Sequence, residues 1–248
     1  MDRLLYLAMT GASQDMNALA VRGNNLANVK TNGFKADFAQ ARAMQAYGEG
    51  LPSRVFAMTE RPGQNFAVGS LETTGRDLDV AIEGDGWLAV SGQNGQEGYT
   101  RAGHLKINAT GLLETADGRL LLGEGDAPIV LPIPFEKLEI GGDGTISVRP
   151  QGAPPEALEV VNRIKLVNPD VRALVKGEDG LFRPKDGGPA PATADVRLVQ
   201  GALEGSNVNA VAEMTSLIDL QRHFELQVKM MKTAEDMDAA HNSLMRIG

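Results

Sequence analysis

The sequence contains no cysteine, and its two terminal segments contain no proline. The absence of cysteine excludes disulfide bonds, thiolate catalysis and cysteine-ligated metals. All 12 prolines lie between Pro52 and Pro191. Because proline interrupts helices, both terminal segments are free to form long continuous helices. The middle of the chain, which holds most of the glycine, is predicted to be rich in turns.

The sequence also lacks the long apolar runs that membranes require. No stretch approaches the roughly 18 apolar residues of a membrane span. The apolar stretch 4–9 is too short for the core of a signal peptide. We therefore expect no membrane insertion and no cleaved signal peptide. The formal net charge of −8 disfavours a nucleic-acid partner, which selects for a basic surface.

Both terminal segments repeat apolar residues at the alternating four- and three-residue spacing of a coiled-coil seam. Neither segment can bury such a stripe alone. The stripes can cover each other, lie on a central domain, or contact other copies of the protein, and the pattern leaves these alternatives open. The seam positions that we predict to form the assembly interface are Leu5, Met9, Ala12, Met16, Leu19 and Leu26 at one end, and Met214, Leu217, Gln221, Phe224, Val228 and Met231 at the other.

The middle of the chain predicts short strands joined by glycine-bearing turns. Strands at close spacing without intervening helices indicate an antiparallel β domain. The expected fold class is α+β, with the two terminal helices paired in a coiled-coil-like helical domain. The expected boundaries are 1–33 for the first helix, 34–75 for a connector whose first part (36–46) looks helical, 76–200 for the β domain and 201–248 for the last helix.

No constellation of residues indicates catalysis or a cofactor. Three histidines are present, and His223 and His241 are too far apart to form a ligand pair on one helix turn. An enzyme or ligand-binding β domain with helical tails stays open as an alternative, although no polar cluster can be named for it. A peptidoglycan-cleaving module is a further alternative, for which Glu83, Glu97 and Glu114 are the available carboxylates. We expect no enzyme, metal or cofactor.

Three stretches carry more information than periodicity. In the first, 24–35, Asn24 and Asn28 lie one helical turn apart, and Asn32-Gly33 is expected to cap the helix in a left-handed conformation. The second comprises 84–90, 99–104 and 108–113, and the third runs from 200 to 225. The signature positions are Asn24, Asn25, Asn28, Gly33, Phe34, Ser206, Asn207 and Asn209. The sequence Glu204-Gly205-Ser206-Asn207 is expected to provide a turn and an N-cap for the last helix.

Together these stretches resemble the flagellar basal-body rod protein family over most of the chain. Two positions depart from the family pattern, since Trp87 stands where the family usually has phenylalanine and His104 where it has a larger apolar residue. The resemblance implies a structural subunit that polymerises through its terminal helices. It also implies that the protein lies in the rod, which spans the periplasm. The implied partners are other copies of this protein, other proximal and distal rod proteins, and the flagellar type III export apparatus. The opening residues 1–13 are most similar to proximal-rod proteins, and a distal-rod protein is the alternative.

Overall fold

A computed structural model describes residues 2–38, 41–45, 55–59, 63–92, 95–154 and 157–245. Two long helices lie at its ends, α1 (Asp2–Ala27) and α2 (Ala210–Met245). A short 3₁₀ helix spans Val171–Ala173. The described strands are, in chain order, β1 (Asp37–Phe38), β2 (Ala41–Gln45), β3 (Val55–Thr59), β4 (Gly63–Gln64), β5 (Leu71–Thr73), β6 (Val80–Glu83), β7 (Trp87–Ser91), β8 (Glu97–Thr100), β9 (Leu105–Ile107), β10 (Leu113–Thr115), β11 (Phe135–Ile140), β12 (Thr145–Pro150), β13 (Glu159–Arg163), β14 (Leu166–Val167), β15 (Leu174–Lys176), β16 (Phe182–Pro184), β17 (Arg197–Gln200) and β18 (Ala202–Glu204).

The chain divides into a helical unit and a β unit. The helical unit consists of 1–29, 36–65 and 208–248, and the β unit consists of 30–35 and 66–207. The α+β class is confirmed, and so is the pairing of the two terminal helices, because α1 packs along α2. With 36 residues, α2 extends about 54 Å at the usual rise of 1.5 Å per residue. Across the described residues, neither helix combines the length and apolarity needed to cross a membrane.

The ends of the two helices differ from the sequence-based expectation. Helix α1 ends at Ala27, six residues before Gly33, so Asn32-Gly33 does not cap it. Gly33 does have the expected positive φ of 70°, but it uses this conformation in a turn of the β unit. Helix α2 is capped by Asn209, whose Oδ1 accepts hydrogen bonds from the N–H groups of Val211 and Ala212. The N-cap predicted within 204–207 therefore lies two residues beyond that stretch, at Asn209.

The segment 36–46 was predicted to look helical, but its described residues 37–38 and 41–45 form strands instead. Strand β1 pairs with β4 and β2 pairs with β3, both antiparallel, within the helical unit. Hydrogen bonding between strands that are distant in sequence has overridden local helix propensity here, which is a weak influence compared with tertiary structure.

The β unit is built entirely from antiparallel pairs among its described strands. Its largest sheet has the order β14-β7-β8-β16-β15, and a three-stranded sheet has the order β11-β12-β13. Strands β6 and β17 form one two-stranded ribbon, β5 and β18 another, and β9 and β10 a third. The antiparallel β domain predicted from the sequence is confirmed.

Strand β7 is buried on both faces and lies between two apolar clusters. Leu88 and Val90 contribute to the larger cluster, together with Ile82 of β6 and Ile146 of β12. Trp87 and Ala89 point to the opposite face and join the smaller cluster. A strand covered on both sides explains why this stretch is continuously apolar rather than alternating.

Candidate assembly surface and the contacts of the signature residues

Small residues allow α1 and α2 to approach each other closely. Ala8 and Ala12 of α1 and Ala234 of α2 are all nearly fully buried. A Cβ atom added at Gly11 would lie 3.0 Å from Nε2 of Gln227, so the two helices are in close contact at this glycine. The tight packing of this pair therefore uses the smallest side chains and leaves several of the larger apolar ones outside.

Large apolar side chains of α1 remain exposed in the single chain. Leu5, Met9 and Met16 are 42%, 53% and 59% exposed, and Tyr6 lies beside them at 56%. Leu5, Met9 and Met16 are four and seven residues apart, so they share one side of the helix. A soluble monomer rarely leaves such a stripe open, and an exposed apolar stripe of this kind marks an interaction surface.

Helix α2 exposes two separate apolar patches. We call Val211, Met214 and Ile218 the first patch, and Leu226, Met230 and Met237 the second patch. Each of these six side chains is between 46% and 73% exposed. At 3.6 residues per turn, the centres of the two patches are about 100° apart around the helix. Therefore, α2 presents apolar surface in two directions besides the side that packs on α1.

The predicted seam positions fall on more than one side of the helices. Leu5, Met9, Met16, Met214, Gln221 and Val228 are exposed, whereas Leu19, Leu26, Leu217, Phe224 and Met231 are half-buried and Ala12 is buried. Gly23, which the spacing also places on the seam, has nothing within 4 Å of the position that a Cβ would occupy. Which of these residues contact another chain stays a prediction.

The signature residue Asn25 joins three segments of the helical unit. Its side chain is fully buried. Its Nδ2 donates to the carbonyl of Asp37 at 2.8 Å and to Oε1 of Glu213 at 3.1 Å, while its Oδ1 accepts from the N–H of Asp37 at 2.9 Å. Arg22 completes the cluster with a hydrogen bond of 3.1 Å to each carboxylate oxygen of Glu213. An amide is the side chain that can both donate and accept in this way, and the arrangement fixes α1, β1 and the start of α2 together.

The other asparagines of the first signature stretch have a local role. The Nδ2 of Asn28 donates to the backbone carbonyl of Asn24 at 2.9 Å, so the Asn28 side chain satisfies a carbonyl group in the last turn of α1. The buried neighbour, Asn25, carries the long-range contacts.

Within the β unit, the two distant signature stretches meet. The N–H of Gly33 donates to the carbonyl of Glu204 at 2.7 Å, and the N–H of Asn207 donates to the carbonyl of Phe34 at 3.3 Å. The side chain of Asn207 also donates to the carbonyl of Ala67 at 2.9 Å. Gly33 is required here because a Cβ would come within 2.3 Å of the carbonyl carbon of Arg101.

A buried ionic cluster of Lys35, Arg101 and Glu204 lies beneath these contacts. The two oxygens of Glu204 receive different cations, with Nζ of Lys35 at 2.6 Å from Oε1 and Nη1 of Arg101 at 2.8 Å from Oε2. The N–H of Gly69 donates to Oε1 as well, at 3.0 Å. Arg101 extends the cluster by donating to the carbonyl of Gly84 at 2.8 Å. Since all three charged side chains are at least 95% buried, each depends on the others for its hydrogen bonds.

The electrostatics of this cluster favour an ionised carboxylate. Burial alone raises the pKa of Glu204, but the Gly69 N–H and the two neighbouring cations outweigh it and hold this pKa below its usual value. Burial lowers the pKa of Lys35, and pairing with Glu204 compensates only in part. Two cations around one carboxylate leave a net positive charge in the interior, so the loss of Glu204 would leave two buried charges without an anion.

The two positions that depart from the family pattern are accommodated in different ways. Trp87 is buried and stacks in a tilted geometry on Phe182, with ring centroids 4.7 Å apart, while Arg101 lies 5.4 Å above its ring. His104 lies at the surface instead, where its Nδ1 is 2.9 Å from Oδ1 of Asp79. The sequence left the packing of both residues open.

The buried charged residues Lys35, Arg101 and Glu204 are not among the seam or signature positions that the sequence analysis selected. Lys35, Arg101 and Glu204 occur inside the stretches that carry the resemblance, yet periodicity treats a charged residue as a surface residue. The sequence nevertheless contains a hint that they are buried, because each of the three charged residues is next to an apolar or signature residue in a stretch with a clear apolar pattern.

The three carboxylates considered for a catalytic module, Glu83, Glu97 and Glu114, are on three different strands. Among the residues that the structure describes, no group of three carboxylate, histidine or cysteine side chains is arranged to hold a metal ion.

Comparison with known proteins identifies the class to which this architecture belongs. The family model described as "Flagella basal body rod protein" matches residues 5–35, "Flagellar hook protein FlgE/F/G D1 domain" matches 81–148, and "Flagellar basal body rod FlgEFG protein C-terminal" matches 199–244. The first and third cover the two helices and the signature stretches beside them, and the second covers the centre of the β unit. These are the parts of a rod or hook protein of the flagellum.

Full-length relatives narrow the class. The chain is 40% identical to the flagellar basal-body rod protein FlgF of Escherichia coli (strain K12), over 99% of both chains. It is 39% identical to the FlgF protein of Salmonella typhimurium, again over 99% of both. A flagellar basal-body rod protein FlgG of Agrobacterium fabrum is 31% identical, over 95% of this chain and 96% of that protein. The chain belongs to the flagellar basal-body rod protein family.

Proposed function

We propose that this protein is a structural subunit of the proximal part of the flagellar rod, which polymerises with itself and with other rod proteins through its two terminal helices. The observation that carries the proposal is the exposed apolar surface of α1 and of the two patches of α2 in a single chain. Contacts between such surfaces on successive subunits are head-to-tail, and a contact of that type that does not close a ring generates a helical filament.

The two patches of α2 give this assembly a geometry. Surfaces that point in directions about 100° apart cannot both be covered by one straight helix. One neighbour along the rod and a second neighbour beside it would cover them together. The β unit remains available to brace adjacent subunits from the side, and the tube would transmit torque and conduct exported subunits.

The proposal also covers placement, export and chemistry. The identity to the FlgF proteins of Escherichia coli and Salmonella typhimurium is higher than the identity to the FlgG protein of Agrobacterium fabrum, and together with the opening residues 1–13 this supports a proximal over a distal position. As a rod subunit the protein would lie in the basal body, within the periplasm, after export through the type III apparatus without a cleaved signal peptide. No catalytic role, nucleic-acid partner or membrane insertion forms part of the proposal.

The first experiment is electron microscopy of basal bodies from the native host with this gene deleted. Basal bodies that retain membrane rings but lack a completed rod and hook would support an essential axial subunit. A complete rod and hook would refute that role.

The same strain then tests the first patch. We expect a plasmid-borne Ile218→Lys variant to fail to restore motility, because an ammonium group in the subunit contact is costly to desolvate. The control is Ile218→Leu, which keeps an apolar side chain of the same volume at the same position of the first patch. Restored motility with both variants would remove the first patch from the interface.

A further inference from the structure

The chain crosses between its two units four times, and every crossing lies close in sequence to the buried ionic cluster. The crossings fall after residues 29, 35, 65 and 207. Lys35 is the last residue before the second crossing, Phe66 and Ala67 follow the third, and Glu204 precedes the fourth by three residues. Segments 30–35, 66–70 and 203–207, which we call the crossing segments, therefore contain every point at which the β unit begins or ends.

These three segments are bound to one another by the cluster and by its backbone hydrogen bonds. Lys35 binds segment 66–70 through the carbonyl of Ala67 at 2.8 Å and segment 203–207 through the carboxylate of Glu204 at 2.6 Å. Glu204 in turn binds segment 66–70 through the N–H of Gly69. Gly205 adds a backbone bond to Ser70 at 2.7 Å.

Arg101 anchors the bound segments to the interior of the β unit. Its guanidinium group spans from Glu204 to the carbonyl of Gly84, and it lies over the ring of Trp87. Trp87 belongs to the apolar cluster on one face of β7. The cluster of charges thus connects the crossing segments to a strand that is buried on both faces.

We infer that Lys35, Glu204 and Arg101 form an internal latch that holds all three crossing segments together, so that force applied to the terminal helices reaches the β unit through one joint. The latch is a device of the single subunit and does not depend on assembly. Its failure in the following test would leave the proposed rod function untouched.

The arrangement gives a specific reason for a latch rather than a general stabilising contact. Each crossing segment contributes a group that the other two segments need, namely the Lys35 ammonium, the Gly69 N–H with the Ala67 carbonyl, and the Glu204 carboxylate. Removing one of them breaks a hydrogen bond to each of the other two segments. The three segments should therefore loosen together, while the apolar clusters of the β unit keep their packing.

Hydrogen exchange of the full-length monomer tests this coupling. The reporters are the amides of Gly33, Gly69 and Asn207, one in each crossing segment, and the amide of Leu121, which bonds the carbonyl of Leu113 at 2.9 Å, reports on the interior. In Glu204→Gln we expect exchange of the three crossing amides to accelerate together by about tenfold or more, with Leu121 unchanged, as for a local opening. The control is Glu72→Gln, which removes a carboxylate from an exposed position on β5 and should leave all four amides unchanged.

The outcomes separate the latch from its alternatives. Acceleration at Gly69 alone, the one reporter that the Glu204 side chain contacts directly, would overturn the inference, as would equal acceleration at Leu121. If Glu204→Gln does not fold, Arg101→Lys provides the same test, because lysine keeps the charge and loses the simultaneous bonds to Glu204 and Gly84. Unchanged exchange at Gly33 and Asn207 in a folded Arg101→Lys variant would equally refute the latch.

Discussion

Replacement of Gly33 by alanine should destabilise the β unit far more than the loss of a glycine usually does. Two effects combine at this position. Its φ of 70° lies in the left-handed region, where an L-residue with a Cβ is disfavoured by about 1–2 kcal/mol. In addition, the Cβ would stand 2.3 Å from the carbonyl carbon of Arg101 and 2.4 Å from the nitrogen of Ala102.

The second effect is the larger one because both obstructing atoms belong to the backbone. A rotamer change cannot relieve such a contact, so segment 30–35 or the segment at Arg101 must move by more than 1 Å to restore the usual separation of about 3.5 Å. Overpacking of this kind costs about 1–3 kcal/mol. The sum predicts a loss of about 2–5 kcal/mol in the free energy of unfolding.

Gly75 provides a matched control. It has the same φ of 70°, but a Cβ there would have nothing within 4 Å, so Gly75→Ala should lose only the conformational part, about 1–2 kcal/mol. Urea unfolding can be followed by the fluorescence of Trp87, which is the sole tryptophan and is buried in the β unit. Equal losses in the two variants would show that the close approach of Gly33 to Arg101 has no energetic consequence.

Two further predictions use the buried polar groups. The pKa of Glu204 is lower in the folded protein than its usual value. Its contribution to stability is therefore complete above the unfolded pKa of about 4.3 and is lost as the pH falls through the folded pKa. The urea midpoint of the wild type should fall more steeply between pH 5 and pH 3 than that of Glu204→Gln, and parallel curves would contradict this. Asn25→Ala should lower the stability of the helical unit by about 2–3 kcal/mol, because the Asp37 backbone and Glu213 lose a buried partner. Thermal melting followed by circular dichroism would measure this loss, with Asn17→Ala at an exposed position of α1 as the control. An equal effect of both substitutions would refute the role of Asn25.

The sequence predicted the two helices and the antiparallel β domain because these depend on strong local patterns. Both long helices lie in the segments that contain no proline. The alternating apolar residues around Val80 and Ile82 indicated β6, and the glycine turns on either side of 87–90 indicated β7. Such patterns act over a few residues, and the tertiary structure preserved them.

The sequence failed where the structure depends on partners that are distant along the chain. The segment 36–46 has helical propensity, but pairing of β1 with β4 and of β2 with β3 makes its described residues 37–38 and 41–45 extended. Gly33 has the expected positive φ, but its function is to let the chain approach Arg101 rather than to end α1. In both cases the local interpretation was reasonable, and a contact with a residue at least 10 positions away decided the outcome.

The buried charges show why such contacts are hard to predict and what they contribute. An ion pair removed from water gains little net stability, because desolvation of the charges offsets their attraction. Apolar residues at Lys35, Arg101 and Glu204 could therefore give a protein of similar stability. They could not give the same arrangement, since apolar contacts tolerate small shifts that a carboxylate with three donors does not. A subunit that transmits force would need its crossing segments in one fixed arrangement, and the inferred latch would hold that arrangement more closely than a purely apolar joint.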